Sequence, residues 1–112
     1  MQILIHILDY CEDIDSALND FNCAYETFFN SKVFQRAIAF NILQIGELVG
    51  KLSQEIRTET VTEMNWPAIK SMRNIVVHDY GNVDLDVVWN TAIHDVPELK
   101  AFCEKQLAEA ST

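Results

Sequence analysis

With 112 residues, 49% apolar and 22% charged, the chain can bury one core and falls outside the low-hydrophobicity class of disordered segments. A single domain over residues 1–112 is expected. The net charge of −9 argues against any nucleic-acid function, because phosphate binding is driven by Lys and Arg displacing counterions. That average conceals an asymmetry. Residues 1–31 hold six acids and no Lys or Arg, residues 32–73 hold six bases against four acids, and residues 74–112 hold two bases against seven acids. Only the middle segment can supply a positive site, and it ends at Arg73.

Taken in chain order, Ile3, Ile7, Cys11, Ile14, Leu18 and Phe21 recur at three- and four-residue spacing, which predicts an amphipathic first helix over residues 2–20. Asn19, Asp20 and Asn22 suit a turn, and Tyr25, Phe28 and Phe29 leave the following stretch open between a connecting turn and packed structure. Ser31 is placed to cap a second, long helix over residues 32–57, whose apolar stripe runs Phe34, Ile38, Ile42, Ile45, Val49, Leu52, Ile56. Gly46 inside it suggests a close backbone approach rather than an end. Residues 58–62 are expected to form a loop. Asn65-Trp66-Pro67 is a good start for a third helix that buries Ile69, Met72 and Val76 and stops at Gly81. Asp84 is expected to cap a fourth helix through Leu85, Val88 and Trp89, and Pro97 to open a last one with Leu99, Phe102 and Leu107. No stretch alternates with period two for long enough to argue for a sheet, so the expected fold is an all-α bundle with one long and several shorter helices.

Cys11, Cys23 and Cys103 are odd in number, far apart and without metal or redox spacing, so reduced thiols in a cytoplasmic protein are expected. The apolar opening lacks a basic region and runs at once into Asp9, Glu12 and Asp13, which does not suit a signal peptide. No run approaches the ~20 apolar residues of a membrane span. Neither a metal nor another cofactor is expected.

Residues 71–80, Ser-Met-Arg-Asn-Ile-Val-Val-His-Asp-Tyr, gather an arginine, an amide, a histidine, an acid and a phenol. Ribonuclease chemistry without a metal needs a base for the ribose 2′-OH, an acid for the leaving 5′-oxygen and a cation for charge growing on phosphorus. His78 suits proton transfer and Arg73 a bidentate phosphate clamp. On one helix, at ~100° per residue, Asn74 and His78 lie ~40° apart but Arg73 and His78 ~140° apart. Their convergence therefore requires either a fraying helix end near Gly81 or a second copy across a two-fold axis. The bland alternatives are a capping His78, a surface ion-pairing Arg73 and a packing Tyr80. His6 and His94 have no constellation around them, and the acids of residues 9–20 read as a solvated helix face.

At this point the chain resembles the HepT-like HEPN toxins, whose hallmark is Arg, four to six residues, then His. Here it stands as Arg73-Asn74-x3-His78-x-Tyr80. Trp66-Pro67 (in inverted order), Val83-Asp84-Leu85 before Trp89, Arg36-Ala37-Ile38 and Gln44-Ile45-Gly46-Glu47 also look like the family, so the similarity covers nearly the whole chain. The resemblance implies a homodimeric four- to five-helix HEPN bundle and metal-independent cleavage of RNA. It also implies a toxin–antitoxin pair with a cognate MNT-type nucleotidyltransferase antitoxin that adenylylates Tyr80. Catalytic roles fall on Arg73, His78 and Asn74, with Arg36, Glu47 and Asp79 as supporting residues. A non-catalytic helical scaffold, or a ligand-binding partner subunit of a nucleotidyltransferase, is the alternative.

Overall fold

Most of the chain with three- and four-residue apolar spacing is helix in the computed structural model, which describes residues 2–52, 54–60, 64, 66, 69 and 85–110. The first helix, α1 (Gln2–Asp20), has the expected bounds and buries Leu4, Ile7, Cys11, Ile14 and Leu18. It stops through local hydrogen bonding rather than through glycine. Asn22 (φ 60°) enters the left-handed region that asparagine tolerates, Cys23 N–H donates to the Leu18 carbonyl at 2.6 Å, and Asn22 N–H donates to that of Asn19 at 3.1 Å. This pair of bonds satisfies carbonyls that the last turn would otherwise leave orphaned.

The stretch left open in the sequence contains a short helix, α2 (Tyr25–Asn30). Ser31 then caps α3 (Lys32–Gly50) as expected, its hydroxyl accepting from Phe34 N–H at 3.2 Å. The Gln35 amide donates to the Phe28 and Phe29 carbonyls, both at 2.9 Å, tying the end of α2 to the first turn of α3. Phe28 sits edge-on to Phe34 with centroids 5.2 Å apart, Phe21 stacks on Phe34 at 4.3 Å, and Trp89 closes the cluster against Phe28. Aromatic packing of this geometry adds to the area it buries.

The long second helix does not run to residue 57. α3 ends at Gly50, Lys51 and Leu52 form a turn, and α4 (Gln54–Glu59) follows, so Thr58 and Glu59 are helical rather than loop. Leu52 is still buried, which is why the apolar spacing reads straight through the break. A second correction concerns the C-terminal region. α5 (Leu85–Asn90) continues through a π-helical segment, Thr91–Asp95, into α6 (Val96–Ala110), so Pro97 lies in the first turn of α6 and opens no separate helix. The wider turn, closed by Val96 N–H to the Thr91 carbonyl, lies just before the proline, whose ring would clash with the carbonyl four residues back in a regular helix.

α1 packs against α3 on one side and α6 on the other. The core between them joins Ile7, Ile14, Ile38, Ile42, Ile45, Leu99 and Cys103, all fully buried. No strand occurs among the described residues, and the all-α HEPN bundle stands.

Candidate functional site

Arg73, Asn74, His78, Asp79 and Tyr80 all lie outside the described residues, as do Met72, Val76, Gly81 and Asp84. What the structure supplies is the two flanks from which that segment departs and to which it returns. Upstream, Trp66 and Ile69 are helical and buried, with Met64 beside them in the core. The Trp66 indole N–H donates to the Thr60 hydroxyl at 2.9 Å, and that hydroxyl donates to the Ile56 carbonyl at 2.6 Å. The indole ring also meets Phe102 edge-on at 5.2 Å. A buried indole donor without its acceptor would cost about 1–3 kcal/mol, so Thr60, at the end of α4, fixes the approach to the motif.

Downstream, Val88 is buried and Trp89 joins the aromatic cluster. Tyr25 of α2 holds the same face of α5 twice, its hydroxyl donating to Asp86 and its ring meeting Trp89 edge-on at 5.7 Å. Sequence reasoning missed this brace because nothing local relates two residues 61 positions apart.

Of the two other predicted site residues, Arg36 is exposed on α3 and Glu47 is half-buried on the same helix. Eleven residues separate them, ~16 Å along the axis, so they do not pair with each other, and Arg36 has no ion-pair partner among the described residues. Among the described residues no group of three or more His, Cys, Asp or Glu side chains is placed to hold a metal ion. His6 and His94 are exposed on separate helical segments.

The thiols are core groups. Burial above all, then Glu104, pushes the Cys103 thiol up to about 12, and burial, followed by Cys103 and Asp15, raises that of Cys11 further. Neither suits a nucleophile, since the thiolate is the reactive form. No helix among the described residues is long and apolar enough to cross a membrane.

A family model described as "Ribonuclease HepT-like" matches residues 7–106. The chain is 35% identical over 102 residues to "Putative RNase MJ1216" of Methanocaldococcus jannaschii, covering 91% of this chain and 82% of that one. It is 33% identical over 106 residues to "Putative RNase TTE0752" of Caldanaerobacter subterraneus subsp. tengcongensis, covering 95% and 88%. With "Probable ribonuclease HepT" of Thermococcus cleftensis it shares 30% identity over 101 residues, covering 87% and 92%. No solved structure matches the chain. With a match that spans both anchored flanks and the Arg73–Tyr80 segment between them, the chain belongs to the HepT-like ribonuclease family.

Proposed function

We propose that the protein is an RNA endonuclease toxin that cleaves without a metal ion. The observation that carries this reading is the family match across residues 7–106, with Arg73-x4-His78 intact inside it. In the proposed reaction the ribose 2′-oxygen attacks phosphorus, its proton passing to a histidine base. The bond from phosphorus to the 5′-oxygen breaks, and that oxygen takes a proton, leaving a 2′,3′-cyclic phosphate and a free 5′-OH. His78 handles protons, Arg73 clamps the phosphate oxygens as charge grows on them, and Asn74 orients the substrate or His78. Asp79, Arg36 and Glu47 are assigned supporting roles only.

A homodimer completes the proposal. The ~140° between Arg73 and His78 on one regular helix would be resolved by two motifs lining one cleft, one His78 serving as base and the other as acid. A cognate nucleotidyltransferase antitoxin would silence the site by moving AMP from a nucleoside triphosphate to the Tyr80 hydroxyl, with pyrophosphate leaving. The phosphodiester so formed would occupy Arg73 and fill the cleft.

The test is end-mapping of RNA treated with purified protein in the presence of EDTA. Cyclic phosphate ends with wild type, and no cut with a folded His78→Ala variant, are expected. Cleavage that EDTA abolishes and a divalent ion restores would overturn metal independence, and full cleavage by His78→Ala would overturn the catalytic assignment. If the wild type cuts no RNA at all, the non-catalytic scaffold is the better reading.

A further inference from the structure

Three of the six bases that the middle segment supplies lie on α3 and its capping residue. Lys32, Arg36, Phe40, Leu43, Glu47 and Lys51 follow one another at spacings of four, four, three, four and four, one stripe ~28 Å long on α3 and its capping residue, exposed at Lys32, Arg36, Phe40 and Lys51 and half-buried at Leu43 and Glu47. Phe34, Ile38, Ile42, Ile45 and Val49 occupy the opposite, buried side. Lys32, Arg36 and Lys51 are exposed, and among the described residues their side chains have no hydrogen-bond or ion-pair partner. By contrast Lys100 is tied to Asp15 at 2.7 Å and Lys105 is engaged elsewhere. Glu47, the acid on the stripe, is half-buried and has its own contact.

Two features of the stripe run against stability. Lys32 sits in the first turn of α3, where the helix dipole disfavours a cation and no acid offsets it. Phe40 is 55% exposed and Val33, at its edge, 72% exposed. Other parts of the surface have the opposite sign, with Asp9, Glu12 and Asp13 exposed on α1 and Glu98, Glu104 and Glu109 on α6.

We infer that the outer face of α3 is a docking track for single-stranded RNA, with Lys32 and Arg36 meeting neighbouring phosphates, Lys51 one several nucleotides farther along, and an unpaired base stacking on Phe40. The inference rests on RNA being the substrate and adds where the strand lies and that its bases are unpaired. Cations that track a backbone, with an aromatic ring between them, are the recurring form of such sites, because every base offers a face to stack and every phosphate a charge. Exposed acids on α1 and α6 repel the polyanion from those helices, which reconciles a net charge of −9 with RNA binding on α3.

The probe is a fluorescein-labelled 2′-O-methyl oligouridylate, which carries the phosphates and bases but lacks the free 2′-OH and so is not cut during an anisotropy titration. Lys32→Glu with Arg36→Glu is expected to weaken binding at least about tenfold and to flatten the salt dependence of log K by about 1.4, some 0.7 per contact. Phe40→Ala is expected to lose about five- to a hundredfold without changing the salt slope, and Phe40→Trp to retain binding. Lys105→Glu on α6, the same reversal made once and elsewhere, leaves binding at the wild-type level.

Wild-type affinity in the folded α3 variants, or an equal loss in Lys105→Glu, overturns the track. A fall in particle mass on light scattering with Phe40→Ala does so too, by making this face an interface between copies. Cleavage of unmodified RNA is scored separately. A wild type that binds the probe through α3 but cuts nothing overturns the ribonuclease reading alone, whereas one that cuts while every α3 variant binds normally overturns the track alone.

Discussion

The seam between α1 and α6 and the outer face of α3 use the same helical periodicity to opposite ends. At the seam every group is answered. Cys11, Ile14 and Cys103 are fully buried, and the one cation, Lys100, pairs with Asp15 at 2.7 Å. On α3 the outward stripe holds three cations without partners among the described residues, together with an exposed phenyl ring. Packing alone explains the first surface and not the second, and unmet chemistry is the better guide to function.

Substitution at the seam therefore costs stability, and substitution on the face does not. Ile14→Ala, which empties a fully buried site, should lower the unfolding free energy by about 2–5 kcal/mol in urea titrations. A loss under 1 kcal/mol would mean that the seam is not tightly packed.

The next largest effect is alkaline. The folded state holds the Cys103 thiol neutral up to about 12, while in the unfolded chain it ionises near its ordinary value of 9.0. The unfolded state thus binds fewer protons above pH 9, so this contribution is fully present below that pH and is lost as pH rises toward 12. Melting temperature should fall over that window, less steeply in Cys103→Ala. At neutral pH iodoacetamide should label exposed Cys23 alone, with Cys11 and Cys103 reacting only on unfolding. Labelling of all three in the native state would contradict their burial.

Smaller still, Lys100→Met should cost no more than about 1 kcal/mol, since its pair with Asp15 is partly solvated. A double-mutant cycle with Asp15→Asn isolates the pair from side-chain packing. Val33→Ser on the α3 face should change stability by less than about 0.5 kcal/mol, the usual range for a surface position. A larger loss would show that Val33 is covered in solution.

The bounds of α1 and the cap at Ser31 were legible in the sequence because both are local, fixed by spacing and by one hydroxyl. The break at Gly50 was not, since Leu52 reaches the core from a turn and sustains the apolar rhythm without a helix beneath it. Pro97 misled for a related reason, because a proline normally marks a start and the wider turn before it is invisible in residue types. At the site, Arg73 and His78 declare themselves by type and spacing. Their convergence depends on groups far away in sequence or on another copy, so no local pattern encodes it. The Tyr25 brace on Asp86 and Trp89 was hidden in the same way.

The π-helical segment also sets the rotational phase of the C-terminal stretch, so that one residue of its length decides which side chains of α5 meet the core. Val88, Ala92, Val96 and Leu99 are buried at spacings of four, four and three, and two consecutive fours carry a regular helix forward by ~40° each time. The surplus residue housed between Thr91 and Asp95 offsets that drift, so one apolar line faces the core on both sides of it. It behaves as a one-residue insertion kept within the coil. Deleting Ile93 should therefore restore a regular α-helix while rotating α5 against α6. Val88 would leave the core and Trp89 the aromatic cluster, and the brace from Tyr25 would be lost although neither of its partners had been altered.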